Sequence, residues 1–398
     1  MKKRELRRIF ASFIAASTIL AACGANEEAP KKENKQEEAQ PSEDQKAEKE
    51  EQVKEYSVNN QLEAYNTYTS ELGKVKEGQK ADWNAVEEAY KKQMQEAVNQ
   101  LNGEFAQSIE AAIEGGKTGQ IDEIVALQLT DKLTQSYFYQ KQKSLQKEIV
   151  ADLEKGDKET AKAKFEEIKK LSTEIFIPTA EKRDNYYQLT GEDSIAENIN
   201  NGLTVQEEAL TQDKKDDFNV YIQLTDKSIY KIFYLAANGY AEKMDEAGQA
   251  GEEEKLKIMQ AEAYGFFQAI KDSLSGGDED ASKQLNTLFA LDNDPKAIKA
   301  AEVKSLFNKA IKGKIFSYHE KAPAALKENK EIDAKISALE GNMFTNMIEI
   351  QIKDQLGEQK AKELSANAEK WFQQISENKV DEAKATSEAI LADLNQIK

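Results

Sequence analysis

The chain holds one cysteine and one histidine, Cys23 and His319, so few kinds of side-chain chemistry are open to it. A thiol nucleophile would have to be Cys23. A Ser-His-Asp site would need His319 beside an activated serine, and no Gly-x-Ser-x-Gly turn occurs. Zinc bound by two histidines is excluded within one chain. We therefore predict no catalytic residue, no metal site and no cofactor, and we expect His319 to be a partly exposed polar residue at a helix end.

Cys23 ends an N-terminal segment of distinctive composition. An apolar run from Ile9 to Ala22 follows five basic residues, Lys2, Lys3, Arg4, Arg7 and Arg8. The run is shorter than the roughly 20 apolar residues that span a bilayer, and it has the length of a signal-peptide core. A buried thiol that follows an apolar run by coincidence is the alternative interpretation.

The ending Leu20-Ala21-Ala22-Cys23 resembles the lipobox of bacterial lipoproteins, and the resemblance extends from Met1 to about Gly24. It implies that residues 1–22 are a signal peptide and that Cys23 carries a diacylglyceryl group. It also implies anchoring at the extracytoplasmic face of the cell membrane, where two or more acyl chains hold stably. Gly24 and the Lys-, Glu-, Asn- and Ile-rich composition favour a Gram-positive surface.

Residues 23–55 are predicted to be a lipid-anchored, disordered and charged linker. From Ala25 to Glu55 the chain is mostly Glu, Lys, Gln and Ala, with no aromatic residue before Tyr56. Such a segment cannot bury enough apolar area to offset the entropy lost on ordering. A frayed helix is the alternative, because Lys and Glu are good helix formers.

The formal charge of the chain is -18, and removal of residues 1–22 would take it to about -22. A surface this acidic repels nucleic acid, so we predict no nucleic-acid partner. The charge is typical of a soluble body held away from the membrane, and it weakly favours cationic partners.

Residues 56–398 are predicted to be all-α, in two halves, 56–200 and 201–398. Apolar residues recur at spacings of three and four, as in Val86, Tyr90, Met94 and Val98, and only three prolines follow Tyr56. Breaks are expected at Gly115-Gly116 with Gly119, at Asn200-Asn201-Gly202, and at Ser275-Gly276-Gly277. The boundary between the halves is placed near Asn200.

An internal repeat predicts helical hairpins at about 120–177, 216–272 and 343–398. Leu127-Gln128-Leu129-Thr130-Asp131-Lys132 recurs 95 residues later as Ile222-Gln223-Leu224-Thr225-Asp226-Lys227, and the same shift brings Gly156 onto Gly251. A weaker third copy begins at Ile350. Repeated hairpins predict linked bundles or an elongated array, although chance similarity among Lys-, Glu- and Ala-rich helices is the alternative.

Aromatic clusters at matching repeat positions are the candidate binding residues: Phe138 and Tyr139 in one copy, and Phe233 and Tyr234 in the next. Aromatic side chains that line a groove suit glycan stacking or apolar ligands, whereas packing between repeats is the simpler explanation. A further pair, Tyr186-Tyr187, lies in the expected joint between the halves.

These features predict a non-enzymatic, membrane-anchored lipoprotein with a helical binding or scaffold body. Its partner would be another envelope protein, a wall polymer or a small solute. The alternatives are an accessory protein that captures a metal or small solute for transport, and a carboxylate-dependent hydrolase of wall polymers.

Lipid attachment is testable at Cys23. We expect the parent chain to incorporate radioactive palmitate in the cell and the Cys23→Ser variant to incorporate none, because only the thiol forms the thioether. Equal labelling of the two forms, measured on immunoprecipitated protein, would refute the anchor.

Overall fold

The computed structural model describes residues 57–397, and every regular element in that range is helical. The predicted all-α fold is confirmed. In the same range, no helix combines the length and the apolar character that crossing a membrane requires. Cys23, the predicted signal peptide and the predicted linker lie outside the described residues.

Contacts divide the described chain into two compact units, residues 57–123 and 124–397. The helices of the first unit are α1 (Val58–Lys76), α2 (Trp83–Gln93), α3 (Gln95–Leu101) and α4 (Gly103–Lys117). Asp82 and Asn102 accept hydrogen bonds from free backbone amides at the starts of α2 and α4. The apolar stripe at Val86, Tyr90 and Met94 is buried, and the Tyr68 hydroxyl donates to the Met94 sulfur at 3.4 Å.

The second unit is built from longer helices. They are α5 (Glu123–Lys155), α6 (Lys158–Leu171), α7 (Ile177–Tyr187), α8 (Ile195–Thr211), α9 (Lys215–Ala250), α10 (Glu253–Gln268), α11 (Lys271–Ser275), α12 (Glu279–Phe289), α13 (Ala300–Lys327), α14 (Glu331–Met347), α15 (Glu349–Leu356), α16 (Glu358–Ser376) and α17 (Val380–Leu394). A π-helical turn, Ser172–Phe176, joins α6 to α7. Short 3₁₀ turns, Gly191–Asp193 and Pro295–Ala297, precede α8 and α13.

The first two copies of the repeat fold as the predicted hairpins. The turns fall at Gly156 and Gly251, which have φ angles of 79° and 76°, a conformation that favours glycine. Across the first hairpin Lys164 pairs with Asp152 at 2.7 Å, and across the second Tyr240 donates to Glu262 at 2.8 Å. The third copy differs, because residues 343–397 form the end of α14 and three further helices.

The predicted break at Asn200-Asn201-Gly202 is wrong, because these residues lie inside α8. Gly202 serves packing instead: a Cβ there would come within 2.9 Å of the Thr225 side chain on α9. The contact-based division between the two compact units falls between residues 123 and 124. At the two other expected breaks, Gly119 and Gly276 do lie in turns. The prediction is wrong for Gly115-Gly116, because both residues lie inside α4, where Gly115 packs closely against Ile121.

Helix α9 forms the centre of the second unit. All fifteen residues from Thr225 to Gly239 are buried, so this stretch lacks the polar, exposed face of a surface helix. Its charged pair is neutralised internally: the Lys227 ammonium lies 2.5 Å from Asp226 and 2.8 Å from Glu340 on α14. Tyr139 on α5 donates to Asp226 at 2.7 Å. The pair therefore links α9 to both α5 and α14.

Two helical glycines provide a matched test of this packing. A Cβ at Gly313 in α13 would overlap the carbonyl oxygen of Gly277, whereas a Cβ at Gly248 in α9 would meet no atom within 4 Å. We expect Gly313→Ala to destabilise the fold by about 1–3 kcal/mol through overpacking. Gly248→Ala should stabilise it by about 0.5–1 kcal/mol. Thermal unfolding measures both, and equal effects would contradict the close helix contact.

Candidate functional site

A cleft of about 380 Å³ lies in the second unit, where α8, α9, α14, α15 and α16 meet. Its volume falls within the range typical of small-molecule sites. Its lining consists of Glu192, Asp193, Ile195, Asn198, Asn201, Gly202, Tyr221, Leu224, Lys227, Ser228, Lys231, Leu339, Asn342, Met343, Asn346, Glu349, Ser365, Glu369 and Phe372. The walls therefore combine amides, hydroxyls and charges with apolar and aromatic side chains.

One edge of the cleft is fixed by the capping of α8. The Asp184 carboxylate accepts hydrogen bonds from the backbone amides of Ile195 and Ala196 at 2.9 and 3.1 Å, and from the Ser194 hydroxyl at 2.8 Å. The Ser194 oxygen in turn accepts from the amide of Glu197. This double cap holds the start of α8 and the preceding 3₁₀ turn, which place Asp193 and Asn198 at the cleft.

Lys231 supplies a buried cation to the cleft wall. It lies on α9, one turn after Lys227, and only 8% of its surface is exposed. Unlike Lys227, it forms no hydrogen bond or ion pair with any described residue, although Glu349 and Asp193 attract it from a distance. Burial lowers the pKa of Lys231, because the charged form is poorly solvated there. Its ammonium group is thus available to an acceptor in the cleft.

Two carboxyl groups of the cleft lining, Asp193 and Glu349, are joined by a lysine on α15 that does not itself line the cleft. Lys353 lies 2.8 Å from Asp193 and 2.8 Å from Glu349. Burial raises the pKa of Glu349 above its usual value. Burial would also raise the pKa of Asp193, but hydrogen bonds from Lys353 and Glu349 hold it below its usual value. The two carboxyl groups therefore differ in their affinity for a proton.

The rest of the lining is suited to a polar molecule with hydroxyl or amide groups. Four asparagines face the cleft from two helices, Asn198 and Asn201 from α8 and Asn342 and Asn346 from α14. Some of their capacity is used within the protein: Asn198 donates to the Glu192 carbonyl at 2.9 Å, and Asn346 donates to the Asn342 side-chain oxygen at 3.2 Å. The remaining amide donors and oxygen lone pairs can bond a ligand. Tyr221 and Phe372 add aromatic surface. This combination of convergent polar groups and aromatic surface is typical of small-ligand sites.

The aromatic residues predicted to bind a ligand lie elsewhere. Phe138, Tyr139, Phe233 and Tyr234 are all at most 2% exposed, and none lines the cleft. Tyr139 packs against Phe233, with 5.3 Å between ring centroids, and the Tyr234 hydroxyl accepts a hydrogen bond from Gln351 at 2.5 Å. Their placement agrees with core packing between repeats.

The expectation that His319 is partly exposed at a helix end is wrong. It lies within α13, is 5% exposed and stacks on Trp371, with 3.8 Å between ring centroids. Its Nδ1 lies 2.7 Å from the Ser387 hydroxyl, and its Nε2 is buried without a partner. No group of three His, Cys, Asp or Glu side chains in the described range could hold a metal ion.

Sequence reasoning missed the cleft, although one signal was present. Lys231 interrupts an otherwise apolar stretch from Ile229 to Ala237, where a charge is costly unless it has a purpose. The asparagines carry no comparable signal, because each is unremarkable in its own helix. Only the packing of α8 against α9 and of α14 beside them brings the lining together.

Comparison of the chain with protein-family models, curated proteins and solved structures finds no match.

His319 generates a prediction about pH. Burial lowers its pKa to about 3, from 6.5, so below pH 6.5 the unfolded chain takes up a proton that the folded chain does not. Stability from this residue is therefore lost as the pH falls from 6.5 towards 3. At pH 5 we expect the parent to have lost about 2 kcal/mol relative to His319→Phe, which keeps the stacking on Trp371. Urea unfolding of both forms at pH 7 and pH 5 tests this, and parallel losses would contradict the low pKa.

Proposed function

We propose that this chain is a non-enzymatic lipoprotein, anchored by Cys23 at the extracytoplasmic face of the cell membrane, whose helical body binds a small polar solute or one unit of a wall polymer in the cleft. The single observation that carries the binding role is the buried, unpaired Lys231 facing a cleft of ligand size. The Lys231 ammonium group forms no hydrogen bond with the described residues, so a ligand that offers an acceptor would provide one.

The lining supports a ligand with several hydroxyl or amide groups over a purely apolar one. Asn198 and Asn342 approach the cleft from different helices, so a bound molecule would bridge α8 and α14. Phe372 and Tyr221 offer surfaces on which a sugar ring or an alkyl group packs. The scaffold role is compatible with this site, since a polymer bound here would connect the membrane anchor to the wall.

Lys231→Met tests the proposal, with Lys384→Met as the matched control, because Lys384 is exposed. We expect Lys231→Met to lose the solute retained by the parent while its Tm rises by about 1–3 °C, since a buried unpaired charge is removed. Lys384→Met should change neither. Native mass spectrometry of the full chain, alone and with added N-acetylglucosamine as probe, detects retention.

Two results would count against the binding role. One is a parent chain that carries no small molecule and does not bind the probe. The other is a Lys231→Met variant that binds as the parent does. A marked fall in the Tm of the variant would instead assign Lys231 to structural support.

A carboxylate-dependent hydrolase is the second candidate, and the Asp193–Glu349 pair is the observation that favours it. Their pKa values are moved in opposite directions, which is the arrangement that acid–base pairs use. Release of reducing ends from purified wall polymer, lost in both Asp193→Asn and Glu349→Gln, would support hydrolysis. Absence of release by the parent would leave the pair as a structural bridge through Lys353.

A further inference from the structure

Arg183 differs from every other basic residue of the body. The chain has 55 basic residues, of which only four are arginines, and Arg183 is the one that lies beyond Arg8. It is placed on α7 and is only 7% exposed. Its Nε and Nη1 atoms are buried and form no hydrogen bond. A guanidinium group is rarely left in this state, because each unmade hydrogen bond in the interior costs free energy.

A second cation, Lys243 on α9, shares the surroundings of Arg183. The Arg183 Cζ lies 6.0 Å from the centre of the Tyr186 ring and 5.9 Å from that of Tyr240. The Lys243 Nζ lies 4.7 and 5.0 Å from the same two centres. Both cations are thus held beside the same pair of rings, whose faces attract positive charge.

Glu262, Glu242 and Glu246 attract Lys243, but none of them forms an ion pair with either cation. Glu262 accepts the Tyr240 hydroxyl at 2.8 Å, and Glu242 accepts the Tyr187 hydroxyl at 3.4 Å and an amide hydrogen of Asn238 at 3.0 Å. Neither Arg183 nor Lys243 forms an ion pair with any residue in the described range. Burial lowers the pKa of Lys243, and the neighbouring Arg183 lowers it further, as expected for two like charges that share one environment. The attraction of Glu262, Glu242 and Glu246 opposes this shift without cancelling it.

We infer that Arg183 and Lys243 form a binding site for an oxyanion, a carboxylate or phosphate group, with Tyr186 as its outer wall. A planar guanidinium presents its N–H groups in a fork that matches two oxygens, and the ammonium group adds a third contact. An oxyanion would satisfy the buried nitrogen atoms and remove the repulsion between the cations.

Access to the site depends on Tyr186. Among residues 57–397 it is the large apolar side chain that is exposed, at 40%, and its ring lies beside the guanidinium. In this proposal an oxyanion reaches the guanidinium when the Tyr186 ring turns away and its 3.5 Å hydrogen bond to Glu242 is released. No member of this cluster lines the cleft, so the site is distinct from the one to which the function is assigned above.

The scarcity of arginine makes the site directly observable. We suggest labelling the full chain with ¹⁵N-arginine, which gives four Nε–H signals, and assigning that of Arg183 as the one lost in Arg183→Lys. The probes are sodium phosphate and sodium acetate, each added against sodium chloride at equal ionic strength. We expect a saturable shift of the Arg183 signal with phosphate, acetate or both, and the stronger probe identifies the class of oxyanion.

Variants separate recognition from structure. Isothermal titration with the stronger probe should show binding weakened at least about tenfold in Arg183→Lys, which keeps the charge and loses the fork. Lys243→Met should weaken binding as well, whereas Lys384→Met, which removes an equal charge from an exposed position, should not. An Arg183 signal that responds to neither probe, or equally to chloride, would overturn the inference. Unchanged binding in Arg183→Lys would overturn it too.

Discussion

The second unit depends on the neutralisation of charge inside the buried stretch of its central helix, α9. Lys227 and Asp226 lie in the buried stretch of α9, so they depend mainly on protein groups for solvation, although Lys227 also lines the cleft. Glu340 is the second carboxylate that pairs with Lys227, and the Tyr139 hydroxyl donates a further hydrogen bond to Asp226. The attraction of Lys227 and other cations holds the pKa of Asp226 at about 2 despite its burial. Loss of one partner from such a pair typically costs about 3–5 kcal/mol, because the remaining charge stays buried.

The same network explains how the sequence repeat becomes a packed array. Tyr139 of the first copy bonds Asp226 in the polar motif of the second copy. Tyr234, at the equivalent position of the second copy, is bonded by Gln351 in the motif of the third. Each of these tyrosines therefore forms a hydrogen bond with a polar residue of the repeated segment in the following copy. Helices packed only through apolar surfaces could slide by a turn, whereas these specific hydrogen bonds oppose such a shift.

The sequence was sufficient for local structure and insufficient for the cleft. Helical periodicity and the glycines at 156 and 251 depend on neighbouring residues, so the all-α fold and the first two hairpins were predictable. Gly202 misled because a glycine at a close helix contact and a glycine at a turn look alike in sequence. The cleft unites side chains from five helices, and their proximity depends on distant contacts that local patterns do not encode.

The described part of the second unit contains three buried cations, of which one forms ion pairs and two do not. Lys227 is neutralised by two carboxylates, which demonstrates that this framework can place acidic partners inside its core. Lys231 and Arg183 are equally buried, yet neither has an ionic partner, although the chain as a whole carries a large excess of acidic residues. A shortage of acidic side chains therefore does not explain why these two cations lack ionic partners. An unpaired interior charge lowers stability, and such local costs are concentrated at sites of binding and catalysis. Lys227 has carboxylate partners within the protein, whereas Lys231 and Arg183 have none among the described residues. This difference is the physical reason to infer that Lys231 and Arg183 bind acceptors supplied by a ligand.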